Sequence, residues 1–215
     1  MATPPELEFF YDCSSPWTYF AFTRIVPLMD SLGLPVRWRP ILVGGVFNAV
    51  NQQVYATREA MFSNSDNKRR LDYYLKDMRD WAELCGVQAN MPPGHPINSV
   101  KAMRGAFYAE EQGLLVPYST AVFEAYWGGG NPDIATDEVL AVICRRVGLD
   151  TEGFFNAIGD QQYKNLLRHN TDELIARGGF GSPTIFINGD DMYFGNDRLE
   201  LVEYRLRSSP ETGTS

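Results

Sequence analysis

Apolar positions along the chain follow two periods. Near the N-terminus Leu7, Phe9 and Tyr11 alternate with Glu8 and Phe10, the spacing of a short strand. The alternation breaks at Asp12-Cys13-Ser14-Ser15, and Pro16 follows. Proline suits a first helical position, because its φ is already helical and its missing N–H would have had no partner. A helix is predicted from Pro16 to about Leu32, stopped by Gly33. Val36-Arg37-Trp38-Arg39-Pro40 then alternates as a second strand, parallel to the first and joined to it through the helix.

From Gly44 to about Arg177, steps of three and four residues dominate. Leu71, Tyr74, Leu75, Met78, Trp81, Ala82 and Cys85 form an apolar stripe that ends at Gly86. Met91-Pro92-Pro93-Gly94-His95-Pro96 is too rich in proline to be helical. Further helices are predicted from a cap at Asn98 or Ser99 to Gly113, from Pro117 to Trp127 and from Thr136 to Val147, with two shorter ones before Arg177. Strand spacing returns in Thr184-Ile185-Phe186-Ile187-Asn188, turns at Gly189-Asp190 and comes back through Met192-Tyr193-Phe194 as a hairpin. A last helix is expected from Asn196 or Asp197 to about Leu206, with Asp197 and Glu200 spaced as a capping box. The order βαβ, helices, ββα is an α/β architecture. Residues 1–43 and 178–207 would form one domain, interrupted by an all-helical insertion over 44–177, and the apolar-free tail 208–215 should be disordered.

Charge narrows the partners. The 215 residues carry a formal net charge of −8, which disfavours a nucleic-acid or anionic-membrane surface but leaves small anions, which need only local positive potential. No apolar stretch approaches membrane-spanning length, and Met1-Ala2-Thr3-Pro4-Pro5 lacks the basic and apolar regions of a secretory signal. Cys13, Cys85 and Cys144 are three in number and far apart, so no disulfide framework is expected and a reducing cytoplasm is the natural setting. His95 and His169 are isolated, and no Cys/His spacing suits a metal.

Ser15 falls at the N-cap of the first helix, beside free N–H groups and the positive end of the helix dipole. Serine at such a place caps a helix, and it can also meet an anion. Cys13, two residues away, is a better nucleophile by chemistry, but its place on the strand end points it elsewhere. We expect it to be packed and inert.

The segment from Glu6 to Tyr19 and a second one, Gly179-Phe180-Gly181-Ser182-Pro183-Thr184-Ile185-Phe186-Ile187-Asn188-Gly189, resemble the thioredoxin superfamily. In that superfamily a Cys-x-x-Cys pair opens the first helix and a cis-proline faces it. Ser15 and Thr18 stand at the two Cys positions, so dithiol exchange is excluded at this motif. The Ser form resembles the 2-hydroxychromene-2-carboxylate isomerases and the kappa-class glutathione transferases. The likeness covers nearly the whole chain, including Gly44-Gly45-Val46-Phe47 followed by Asn51, Leu75-Lys76-Asp77, Ala102-Met103-Arg104-Gly105 and Gly195-Asn196-Asp197-Arg198-Leu199-Glu200.

The resemblance implies a thioredoxin-like domain with an inserted helical domain, glutathione as cofactor and a homodimer. It makes Ser15 the catalytic residue, a donor to the glutathione sulfur, assisted by the N–H groups of Trp17 and Thr18. It places the cysteinyl part on Ser182 and Pro183, the γ-glutamyl end on Asn196 and Asp197, and a further hydrogen bond on Asn51. Where relatives offer a Lys to the glycyl carboxylate, this chain has a longer segment, 52–70, whose basic residues include Lys68 and Arg70. Phe47, Trp17, Tyr55 and Trp127 could wall a pocket for an aromatic carboxylate substrate. The implied activity is glutathione-dependent isomerisation of 2-hydroxychromene-2-carboxylate in aromatic catabolism. A kappa-like transferase or peroxidase and a non-catalytic thiol- or peptide-binding module are the alternatives.

Overall fold

A computed structural model of the chain describes residues 5–50, 52–53 and 67–208. The expected Asn51 and Tyr55 contacts, and the tail after Ser208, lie outside the described residues. Four strands, β1 (Leu7–Tyr11), β2 (Val36–Pro40), β3 (Thr184–Ile187) and β4 (Asp191–Phe194), make one sheet in the order β2-β1-β3-β4. β1 pairs parallel with β2, and β3 runs antiparallel to both β1 and β4. Helix α1 (Pro16–Leu32) joins the first two strands and stops at Gly33, whose φ of 65° is the left-handed conformation that glycine adopts without strain.

Between β2 and β3 the chain is helical: α2 (Val43–Val50), α3 (Lys68–Cys85), α4 (Val100–Glu111), α5 (Leu115–Trp127), α6 (Asp137–Val147), α7 (Thr151–Gly159) and α8 (Gln161–Ala176). α5 starts two residues before Pro117, which lies in its first turn, where a missing N–H costs nothing. The second of the two helices expected to be short, α8, is 16 residues long. After β4 a 3-10 turn (Asn196–Arg198) leads into α9 (Leu199–Ser208). The capping box expected there does not form. Asp197 pairs with Arg198 at 3.0 Å, and Glu200 reaches Arg24 on α1 at 2.7 Å.

The alternation in β1 suggested one buried side, yet all five of its residues are buried. Phe9 and Tyr11 pack with Phe22, Trp38 and Phe123 on one face, while Phe10 packs with Ile41, Val46, Leu174 and Phe186 on the other. Helices therefore cover both sides of the sheet. Glu8, on the Phe10 face, survives burial because Arg177 meets it at 2.6 Å, with Arg37 and Arg39 within 4 Å. Arg177 in turn lies over the Phe186 ring, 3.8 Å from its centroid.

Close packing continues into the helical region. A Cβ on Gly105 of α4 would collide with the Phe154 ring of α7 and the Tyr118 hydroxyl of α5. Gly105→Ala should therefore destabilise the fold by about 1–3 kcal/mol. Thermal unfolding reads this as a melting point lower by about 2–4 °C per kcal/mol, and an unchanged melting point would contradict the packing.

Candidate active site

Ser15 sits where the C-terminal end of β1 turns into α1. Its backbone is extended (φ −108°, ψ 124°), and its Oγ accepts the Thr18 N–H at 3.3 Å. It is thus the N-cap that the Ser-Pro sequence predicts. The hydroxyl proton goes across the chain, to the Ser182 carbonyl at 3.2 Å. Ser182 closes the junction from the other side: its Oγ accepts the Asp12 N–H at 3.0 Å and shares a 2.8 Å hydrogen bond with Thr18 Oγ1. The Ser182–Pro183 peptide is cis. Two segments 167 residues apart are therefore bound through three short polar side chains and two backbone groups.

This arrangement changes the expected donor set. The Thr18 N–H is engaged by Ser15 and is not open to a sulfur. Pro16 has no N–H. Among the described residues the Trp17 N–H has no partner, which leaves it as the open donor of the first turn. The Trp17 ring packs edge-on against Phe20 and Tyr74, with centroids at 5.9 and 5.3 Å.

Below the junction lies a carboxylate that the motifs did not single out. Asp12 is 1 % exposed and accepts three hydrogen bonds, from the Ser14 N–H at 2.9 Å, the Val43 N–H at 2.8 Å and the Ser99 hydroxyl at 3.0 Å. It ties the starts of α1, α2 and α4 to the end of β1. Burial raises its pKa from the ordinary carboxylate value, and the three donors hold the rise back. Ser99 spends its hydroxyl here, so the first turn of α4 is met by Asn98 Oδ1 on the Val100 N–H.

Cys13 points into the core. It is 2 % exposed, its thiol is pushed up by burial and by the neighbouring Asp12 charge, and its carbonyl accepts the Trp127 indole N–H at 2.8 Å. Trp127, fully buried, is core and not the wall of a pocket. Phe47 is likewise buried. His95 Nδ1 bonds the Tyr126 hydroxyl, and His169 faces Glu173 on α8, so neither histidine touches Ser15. Among the described residues no three His, Cys, Asp or Glu side chains gather as a metal site, and no helix is long and apolar enough to cross a membrane.

The Gly195 N–H donates to the Pro183 carbonyl at 3.1 Å, which brings the start of the last helical segment beside the cis-proline loop. Asn196 is 4 % exposed, and its amide nitrogen is buried without a partner. A buried donor in that state is costly, so an acceptor is wanted there. Asp197 is half-exposed and near enough to Asp77 on α3 to affect it: burial first, then Asp80 and Asp197, raise the Asp77 carboxyl above its ordinary value. Two carboxylates from separate elements thus lie within electrostatic reach of one another. Lys68 and Arg70 stand exposed on the first turn of α3, Lys68 paired with Asp72 at 2.7 Å.

A family described as DSBA-like thioredoxin domain matches residues 6–207. The chain belongs to that family. It is 31 % identical to a 2-hydroxychromene-2-carboxylate isomerase of Pseudomonas putida, over 92 % of each chain. It is 26 % identical to glutathione S-transferase kappa 1 of Rattus norvegicus, over 94 % of this chain and 91 % of that one. A solved 2-hydroxychromene-2-carboxylate isomerase superposes with a TM-score of 0.77 at 28 % identity, covering 94 % of both chains. Within the family, then, this is a member of the branch of isomerases and kappa-class transferases, on a thioredoxin-like fold carrying inserted helices.

Proposed function

We propose that the chain is a glutathione-dependent isomerase of 2-hydroxychromene-2-carboxylate, or of a close analogue, yielding trans-o-hydroxybenzylidenepyruvate. The observation that carries the reading is the single hydroxyl of Ser15, placed on the α1 N-terminus against the Ser182–Pro183 backbone. The residues around it fit the tripeptide. The buried, unpartnered Asn196 amide suits the γ-glutamyl carboxylate, and Asp197 with Asp77 suits its ammonium. Ser182 offers its backbone to the cysteinyl unit in the manner of a strand edge. Lys68 and Arg70, on the helix that packs against Trp17, are the cations for the glycyl carboxylate.

When bound, glutathione supplies a nucleophilic thiolate that adds reversibly to the conjugated carbon, permits ring opening and rotation, and is released unchanged. The work of the chain is positioning and electrostatics. Ser15 has one proton. To serve a sulfur it must leave the Ser182 carbonyl, the same carbonyl that a peptide-like ligand would engage, so ligand docking and release of the hydroxyl are one event. Ser15 acts as a donor and not as a nucleophile, because among the described residues no base is hydrogen-bonded to it. The Trp17 N–H and the dipole of the 17-residue α1 add to the positive potential.

Similarity to the kappa transferases supports a second reading, conjugation of an electrophile with consumption of glutathione. The two are separated by following the absorbance of a hydroxychromene carboxylate together with free thiol. Isomerisation requires glutathione and leaves its concentration unchanged. One thiol lost per turnover would favour the transferase, and turnover without glutathione would end both readings.

A further inference from the structure

The chain is acidic overall, yet three cations converge on a cavity that the Ser15 site does not use. The cavity, of about 390 Å³, lies between α2, α4 and α8. Leu42 and Leu167 give it an apolar floor, and Arg104, Lys164 and Arg168 line it with Asp172 as the one carboxylate, a formal balance of three positive charges against one. On α8 the residues Lys164, Leu167 and Arg168 are three and four positions apart and so share one face. Among the described residues none of the three cations has an ion-pair partner. Arg104 is the clearest case. It is half-buried, its Nε is buried without a hydrogen bond, and its Nη1 has only a 3.4 Å contact to the Ile158 carbonyl. Burial draws its guanidinium down from the usual range. An anion entering the cavity would give these donors the acceptor they lack.

The geometry points to a second ligand site here, one that binds a small organic carboxylate with an apolar, aromatic-sized body. A volume of this size with an apolar floor and a few convergent polar groups is that of a small-molecule pocket, and the cations at its edge select the charge. Bare inorganic anions would leave the floor unused. The site shares no residue with the Ser15, Ser182–Pro183 and Asn196–Asp197 set, and it does not rest on the glutathione reading.

Isothermal titration of the full chain with cinnamate as probe tests it. The expected result is saturable one-to-one binding that persists in Ser15→Ala and under saturating glutathione. Affinity should fall at least tenfold in Arg104→Met, and likewise in the surface double variant Lys164→Met/Arg168→Met, with thermal unfolding confirming that both are folded. Absence of saturable binding, affinity indifferent to these substitutions, displacement by glutathione, or inorganic phosphate binding as tightly as cinnamate would each overturn the proposal. A chain that fails to bind glutathione but passes this test would lose the isomerase reading and keep the cavity.

Discussion

Ser15→Ala should lower kcat/KM about 100- to 1000-fold, the effect of removing one preorganised donor from a developing or resting anion. The substitution removes the hydroxyl that both caps α1 and can turn toward a ligand sulfur. Its effect on folding should be small, about 1 kcal/mol, the usual cost of losing one N-cap. The two readouts therefore separate. Steady-state kinetics should collapse while the melting temperature moves by a few degrees. If Ser15 were only a cap, the kinetics would follow the melting curve and the isomerase rate would stay within a few-fold of the parent.

The second large effect is expected at Asp12, and in folding more than in chemistry. Asp12→Ala strands the Ser14 and Val43 N–H groups and the Ser99 hydroxyl in a dry junction. Each stranded buried donor costs about 1–3 kcal/mol, so a loss of about 3–4 kcal/mol overall is expected after partial relaxation. Urea unfolding should show it as a large drop in midpoint with little change in slope. Asp12→Asn adds a test of sign. The folded-state pKa of Asp12 lies above its unfolded value of about 3.9. The stability it contributes is then fully present below that unfolded value and declines as pH rises through the folded one. The stability advantage of the parent over Asp12→Asn should accordingly be largest in acid and shrink on the way to neutrality; an advantage that grows with pH would reverse the assignment.

Local signals located the framework well. The Ser-Pro break after an alternating run marked the end of β1 and the start of α1 to the residue, and the Gly189-Asp190 turn marked the β3–β4 hairpin, because both depend on neighbours in sequence. What sequence concealed is long-range. Glu8 read as the polar side of a strand, but three arginines from β2 and the end of α8 allow it to be buried. Asp12 carried no motif of its own, since its three partners come from 2, 31 and 87 residues away. Trp127 looked able to line a pocket by its aromaticity, but it is packed in the core against Tyr126 and His95 and bonded to the Cys13 carbonyl. Asp77 stood within a segment shared with the relatives, Leu75-Lys76-Asp77, but that the charge of Asp197, 120 residues on, reaches it appears only in the fold. Capping patterns were the least reliable guide: Ser99 and Asp197 both had the right spacing and both are engaged elsewhere.

The central claim is that the α1 N-terminus and the Ser15 hydroxyl hold a borrowed thiol as its anion. Titrating the ultraviolet thiolate band of glutathione bound to the parent and to Ser15→Ala measures this without turnover. The account predicts an apparent value for the bound thiol below the ordinary one of about 8.5, returning upward by about one unit or more when the hydroxyl is removed. A bound thiol that titrates like free glutathione, or one whose value is the same in both proteins, would contradict it.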